Sequence, residues 1–473
     1  MLTTIARREL QLQLRDGRLV VTFLLMLALI GAAVAVGWRE HNEGERERQL
    51  FAEQSYAQWL TQPPKHPHRA AAFGLYVAKP ESPLAIFESG LRPHAGRTLW
   101  LEAHAQTAFS YAPADDDLAA TVLPGERSGA ALLQLLGGLV ALVLGALAIA
   151  RERETGVLQQ ILAQRVSPLR WAAGKYLGLV ATLAIALVPL AVVVIAALVA
   201  ITSPAERGDV AARALAGLFG NAAYLLAMLA IGMSVSMIAR SSRAALIVAL
   251  ALWVAGSLLA PRIAAHLAVT LAPTPDAIAY RQAIGAEFAS GFDGLPGWSE
   301  QLRQLEADTL VQHGVPSLDD LPIGYSGLRM KLMTAWTDQV SDRHYARLRA
   351  IYERQEHIRM AAAVLAPAIA ARAYSHGMAG MDWSHYQHFS NAAETYRRDF
   401  NLAMNELIVH GTRGQVWEMN AGPEDWALVE PFHYDPPDAR FALRQVQLPA
   451  AILIGWLALA WLLLALTARK LRP

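Results

Sequence analysis

The sequence predicts an α-helical polytopic membrane protein. Six transmembrane helices carry two extracytoplasmic domains, one between spans 1 and 2 and a second, mainly helical, between spans 5 and 6. Three observations carry this prediction. The chain of 473 residues is 54% hydrophobic and 17% charged, against soluble averages of about 45–50% and 25%. Several of its apolar runs reach the roughly 20 residues that a spanning helix needs. Arg and Lys gather at the N-terminus, at 151–175, at 240–243 and at 469–472. With six spans and both termini cytoplasmic, all four groups fall on one side, as positive-inside loops do. The formal net charge of +1 says nothing about partners, because charge is segregated across the membrane. The absence of cysteine excludes disulfides, thiolate nucleophiles and Cys-ligated zinc.

Taken in order, residues 1–18 set Arg7, Arg8, Arg15 and Arg18 among Leu2, Ile5, Leu10, Leu12 and Leu14. This reads either as a short helix in the headgroup region or as a basic flank that orients the first span. Span 1 is 19–38, ending at the interfacial residue Trp38. Ala33-Val34-Ala35 has the small-residue pattern of a leader cleavage site, but the apolar run exceeds the usual core of about 7–15 residues. Retaining the span also gives an even count. Residues 39–127 form the first polar domain. Its opening, Arg39–Leu60, is a charged helix ended by Pro63-Pro64, and its close is Asp115-Asp116-Asp117 and Pro124-Gly125. The stretch between is too irregular for a helix or strand assignment.

Span 2 is 128–150, where Gly137-Gly138 allows close helix approach. A short charged segment, 151–176, separates it from span 3 at 177–201. Span 4 is 213–239, and span 5 is 244–271, with Pro261 placed to kink or end it. Residues 272–445 form the second polar domain. Helical periodicity runs through Ser341–Tyr374 and again through Ser390–Val409, with loops at 291–297, 314–322 and 431–437. Span 6 is 446–467, and 468–473 is a basic cytoplasmic tail.

Segment 151–176 reads RERETGVLQQILAQRVSPLRWAAGKY. Thr155-Gly156 breaks the charged run. Val157, Leu158, Ile161 and Leu162 then recur at helical spacing. Ser167-Pro168 marks a second helix start, with Ser at the N-cap and Pro at the first helical position. On physical grounds the segment is either a short amphipathic helix held under the bilayer against a soluble partner, or an ordinary positive-inside loop.

The pattern E-R-E-x-G-x-L-x-x-x-L…S-P…G-K resembles the cytosolic coupling segment of ABC-2 type transporter permeases. Residues Glu152, Arg153, Glu154, Gly156, Leu158, Leu162, Ser167, Pro168, Gly174 and Lys175 match. The outer regions resemble a DUF3526-containing permease subfamily. The matching stretches are RAAAFGLYVAKPESPLAIFESG…GRTLWLEAHAQ, DDLPIGYSGLRM, APAIAARAYSHGMAGMDWSHYQHFSNAAETYRRDFNLAMNE and PFHYDPP. Glu88-Ser89-Gly90 stands where that pattern has Asp-Pro-Gly, and Met381 where it often has Thr. The resemblance implies a bacterial inner (cytoplasmic) membrane location with both large domains periplasmic. It implies a cytoplasmic ABC ATPase subunit docked on the segment through Glu152, Arg153, Glu154, Gly156, Leu158, Leu162, Ser167 and Pro168. It also implies a second permease, identical or a sister, beside it in the lipid bilayer.

No site of chemistry is legible. The chain lacks G-x-x-x-x-G-K-[ST], since Gly174-Lys175 is followed by Tyr176 without the upstream glycines; it cannot cradle ATP by a P-loop. No cofactor is expected on the chain, and ATP and Mg would be held by the partner subunit. His376, Met378, Met381, Asp382, His385 and His388 lie close in sequence. Mixed His and Met ligands suit copper; the alternative is a helix–loop–helix in which these residues cap and pack. Asn221 and Tyr224 are polar groups within span 4, marking either a substrate path or interhelical hydrogen bonds. Glu102 and His104 form an acid–base pair only if a nucleophile joins them, and none is evident.

The reading is a permease subunit that couples ATP hydrolysis in a separate ATPase to substrate movement, its outer domains binding substrate or a periplasmic partner. The alternatives are ATP-driven mechanotransmission or assembly work without transport, and a membrane-anchored binding protein without an ATPase. Leu/Ala/Val-rich spans suit lipid-like substrates or no pore. An enzyme is not expected, nor is a nucleic-acid partner.

Overall fold

The computed structural model describes residues 1–92, 98–102, 106, 128–164 and 166–471. The readings placed on His104, Asp115-Asp116-Asp117 and Pro124-Gly125 lie outside the described residues. Among the described residues, six helices are long and apolar enough to cross a membrane: Gly17–Leu60, Gly129–Glu154, Pro168–Ile201, Arg207–Ile238, Ser242–Leu271 and Gln447–Arg469. They are called spans 1 to 6 below.

The N-terminal residues form a helix, Leu2–Arg15, and Asp16 caps the next helix by accepting from the Arg18 N–H. Span 1 does not stop at Trp38. It runs unbroken for 44 residues, roughly 66 Å at the α-helical rise, so its second half forms a stalk beyond the apolar section. Among the described residues after Pro63-Pro64 are helix Pro67–Phe73, the antiparallel pair Leu75–Ala78 with Thr98–Leu101, and a single 3₁₀ turn, Pro83–Ile86. Side chains alternate in and out along both strands, with Leu75, Val77, Leu99 and Leu101 buried.

Glycine sets the closest contact in the bundle. Gly145 of span 2 and Gly232 of span 4 let the two backbones touch: a Cβ on Gly232 would overlap the Leu142 carbonyl, and one on Gly145 would overlap that of Leu229. Such small-residue crossings are how membrane helices gain van der Waals contact. Gly138 likewise leaves room for the Tyr224 ring. Pro261 neither ends nor visibly breaks span 5, because a π-helical segment, Val254–Leu259, immediately precedes it and absorbs the lost hydrogen bond.

The periodic stretch expected over Ser341–Tyr374 is two helices. Helix Tyr325–Ala363 ends in a turn at Val364–Ala366, and helix Pro367–Ala379 returns. Proline removes an N–H and forces Ala366 into extended backbone, which breaks the helix there. The two arms form a hairpin that enters the spans. Met360, Ala363, Ile369, Ala370 and Tyr374 belong to the same apolar core as spans 2, 4 and 6. Trp456 donates to the Ala363 carbonyl at 3.1 Å, and Tyr374 donates to that of Ala216 at 3.0 Å. Gly220 is filled by the Tyr374 ring. At about 1.5 Å per residue, that contact lies roughly 20 Å from the Arg207 end of span 4. Part of the region 272–445 therefore sits among the spans.

Described parts of both polar regions meet at one end of the bundle. Trp59 of the stalk donates to the Trp426 carbonyl at 2.8 Å, Trp426 donates to that of Gln62 at 3.3 Å, and His66 stacks on Trp417. Helix Trp383–Gly411 is held to Tyr325–Ala363 by Arg397, which is fully buried and pairs with Glu394 at 2.7 Å and with Asp338.

Gly232→Ala is expected to lower the melting temperature in detergent clearly, by overpacking worth about 1–3 kcal/mol. Gly455→Ala in span 6, where nothing lies within 4 Å of the new Cβ, is expected to be neutral or slightly stabilising.

Candidate functional site

At the end of the bundle opposite the polar regions, span 2 finishes in Glu152, Arg153 and Glu154, and each side chain engages a different helix. Lys175, near the start of span 3, is 3% exposed and reaches Glu152 at 2.7 Å and Glu9 at 2.8 Å. Glu9 is 4% exposed and also accepts from Gln13 at 2.7 Å. A buried ammonium is tolerated only when paired and hydrogen-bonded, and here two carboxylates from two helices share it. The N-terminal helix comes this close because Gly174 and Gly178 present no side chain. A Cβ on Gly178 would lie 2.6 Å from that of Glu9, and one on Gly174 would lie 2.8 Å from that of Ile5.

Arg153 reaches the last turn of span 4, donating to the carbonyls of Met237 at 2.6 Å, Ser236 at 3.4 Å and Ala239. Those carbonyls have no partner inside their own helix, and a cation suits the negative end of the helix dipole. Glu154 does the reverse at the start of span 5, accepting from the Ser242 N–H at 2.9 Å and its hydroxyl at 2.6 Å. The three neighbours thus fix the ends of spans 3, 4 and 5 together with the N-terminal helix.

Gly156 then adopts φ +75°, the left-handed conformation that glycine supplies at a helix end. It reverses the chain into the short helix Val157–Ala163. Leu158 and Leu162 turn inward and are buried in the transmembrane core, whereas Val157, Gln159, Gln160, Ala163 and Gln164 face outward. Ser167 stands at the N-cap of span 3 and Pro168 at its first position, although the Ser167 hydroxyl makes no capping bond. Within this helix the motif residues Leu158 and Leu162 are buried, and it is their neighbours outside the motif that offer its surface to another molecule.

The other candidates separate. Asn221 accepts from Gln134 of span 2 at 3.1 Å and donates to the Gly217 carbonyl at 2.9 Å. Tyr224 is buried, its hydroxyl 3.4 Å from that of Ser257 in span 5. Both make interhelical bonds, and Asn221 also borders a cavity. His376 lies 3.6 Å from Glu88, Met378 packs in the bundle core, and Met381 packs beside Leu84 and Ala379. His385 pairs with Asp382, and His388 bonds Tyr434 at 2.9 Å. Asp382 also accepts from the His385 N–H at 3.1 Å as the N-cap of helix Trp383–Gly411. These residues cap and pack, and the described residues contain no group of three or more His, Asp or Glu placed to hold a metal.

Burial alone would raise the Asp382 carboxyl, but the hydrogen bonds and charge of His385 outweigh it and hold it below its ordinary 3.8. Burial lowers the His388 imidazole, with His385 adding to the effect.

Sequence reasoning gave no role to Glu9, a lone acid in a basic segment, or to Glu88. The latter is 3% exposed and accepts from Ser375 at 2.6 Å and Ser128 at 3.3 Å, joining the first polar region to the hairpin and to span 2. The residues just after the Glu88-Ser89 departure reach the other departure, Met381: Gly90 packs against it, and the Leu91 N–H donates to its carbonyl at 2.8 Å.

Residues 3–326 match the family described as ABC-2 family transporter protein, and residues 277–435 match DUF3526, a domain of unknown function. No curated protein matches the chain, and no solved structure does.

Lys175→Met leaves two carboxylates buried without their cation and is expected to destabilise by about 3–5 kcal/mol. Replacing all three charges together (Glu9→Gln, Glu152→Gln, Lys175→Met) should restore most of the melting temperature.

A depressed carboxyl adds stability above its unfolded pKa and loses it as pH falls through the folded value. Asp382→Asn should therefore lower stability at pH 7, and its gap from wild type should close as pH drops below 3.8. Melting curves at both pH values check this.

Proposed function

The chain belongs to the ABC-2 family of transporter proteins, and from that premise we propose that it is the membrane subunit through which a separate cytoplasmic ATPase drives movement across the inner membrane. The observation that carries the proposal is the clamp at Glu152, Arg153 and Glu154, one glycine turn away from a surface helix. A force on Val157–Ala163 acts on span 2 directly through Leu158 and Leu162, and on spans 3, 4 and 5 through the three charged side chains.

In this reading the ATPase docks on the outward face formed by Val157, Gln159, Gln160, Ala163 and Gln164. The motif residues Glu152, Arg153, Glu154, Leu158 and Leu162 transmit rather than touch. Gly156 gives the reversal its geometry, and Ser167 and Pro168 start span 3. ATP and Mg are held by the ATPase. Nucleotide state then biases a two-state bundle, and a second permease, identical or sister, completes the transmembrane unit. Both termini are cytoplasmic, and both polar regions lie on the periplasmic side, where they meet substrate or a periplasmic partner.

Co-expression with the genomic neighbours and purification through a tag on this chain test the proposal. An ATPase should co-elute. Val157→Asp with Gln160→Arg should reduce its recovery at least tenfold while leaving the melting temperature within a degree or two, since both side chains are exposed. Clean purification without an ATPase, or recovery indifferent to the pair, would contradict it.

A further inference from the structure

A cavity of about 260 Å³ lies between spans 3 and 4, bordered by Ile30 of span 1, Leu133 of span 2 and Met378 of the hairpin. Its lining is apolar except for Glu88, Arg213, Asn221 and Ser375. Those four direct their hydrogen bonds into the protein. Ser375 donates to Glu88 at 2.6 Å, Asn221 bonds Gln134 and the Gly217 carbonyl, and Arg213 donates to the Met378 carbonyl at 2.8 Å. The second terminal nitrogen of Arg213, Nη2, is buried against Gly380 and has no hydrogen-bond partner among the described residues. What the cavity offers a ligand is hydrocarbon.

The cavity adjoins the lipid-facing surface. Val188, Ala191, Ile195 and Leu218 line both it and a groove on the outside of the same two spans, which Val192, Val199 and Leu215 extend. An apolar space of this size stays dry, and left empty it forfeits the dispersion contacts of its walls. Bilayer hydrocarbon lies at its mouth.

Gly217 adds an independent observation. Glycine is unfavourable inside a helix, and the neighbouring Gly220 and Gly232 are each explained by a group packed where the Cβ would be. At Gly217 the added Cβ would meet only Met378, at 3.9 Å. Packing does not require a glycine there; its absent side chain leaves the cavity open.

We propose that the cavity is a lateral binding site for an acyl chain of a membrane phospholipid, which enters from the bilayer between spans 3 and 4. The site requires only that these two helices stand in lipid. It holds whether or not an ATPase binds, so its failure and that of the coupling proposal are separate events.

The test uses the full chain in nanodiscs of phosphatidylcholine, doped with phosphatidylcholine carrying a mid-chain diazirine. After irradiation, adducts should appear on the cavity walls, at Leu183, Leu187 and Ala222, as well as on the outward-facing Val193 and Phe219, which are 65% and 73% exposed. Gly217→Leu fills the cavity and should reduce the wall adducts at least fivefold, leaving those at Val193 and Phe219 unchanged. Gly217→Ala, a minimal change, should give a smaller reduction in the same direction and serves if the leucine variant does not fold. Wild-type adducts confined to the outward-facing positions would overturn the proposal, as would wall adducts indifferent to both substitutions.

Discussion

Lys175 carries three ammonium hydrogens into a place with almost no water, and two carboxylates from different helices come to meet them. The arrangement of this end of the bundle follows from that need. Glu9 can reach the ammonium only if the N-terminal helix crosses span 3 at near contact, which Gly174 and Gly178 allow. Glu152 can reach it only if span 2 ends beside span 3. Once Glu152 is fixed, the next two residues point to the free helix ends on either side. Arg153 meets carbonyls of span 4, and Glu154 meets N–H and hydroxyl donors of span 5. Leaving any of these groups unpaired at the membrane boundary costs more than an ordinary surface contact returns. The helix ends therefore form one unit, and Val157–Ala163 is attached to that unit through a single glycine turn.

Span 2 links this unit to the other end of the molecule. Its opposite end presents Gln134, which bonds Asn221 of span 4 at 3.1 Å and approaches the Ala371 carbonyl of the hairpin at 3.5 Å. Ser128, just before it, bonds Glu88 of the first polar region. One helix thus touches the clamp, the hairpin and both polar regions. The hairpin is the deeper connection, because its arms share the bundle core while their continuations carry the second polar region. A rigid-body shift of span 2 has few ways to leave the polar regions undisturbed.

The spans were legible because bilayer thickness imposes a length and a composition that soluble helices rarely combine. Pro63-Pro64 and Ser167-Pro168 marked helix boundaries because proline's missing N–H is a local fact. The hairpin was not legible. Its apolar arms are shorter than a span and are interrupted by Arg359, Arg372 and His376, so periodicity merged them with the soluble helices on either side. The Leu75–Ala78 and Thr98–Leu101 pair was missed because four-residue strands have little pattern to read. At the site, the E-R-E residues lie together at the end of span 2, but a motif does not say which way side chains point. Their partners Ser236, Ser242 and Glu9 are distant in sequence and became visible only in the fold. His385 and His388 do share a helix face, as three-residue spacing requires, yet Asp382 and Tyr434 already occupy them.

The central claim is that motion imposed on Val157–Ala163 reaches the hairpin. The chain has no native cysteine, so spin labels at Gln160→Cys and Leu365→Cys can be introduced directly, and Leu365 is 82% exposed. The distance between them would be measured by pulsed electron resonance in the complex with the ATPase, nucleotide-free and with a non-hydrolysable ATP analogue. A shift of several ångströms between the two states, lost when Arg153→Ala and Glu154→Ala uncouple spans 4 and 5, is the predicted result. An unchanged distance in a complex that hydrolyses ATP would contradict the account.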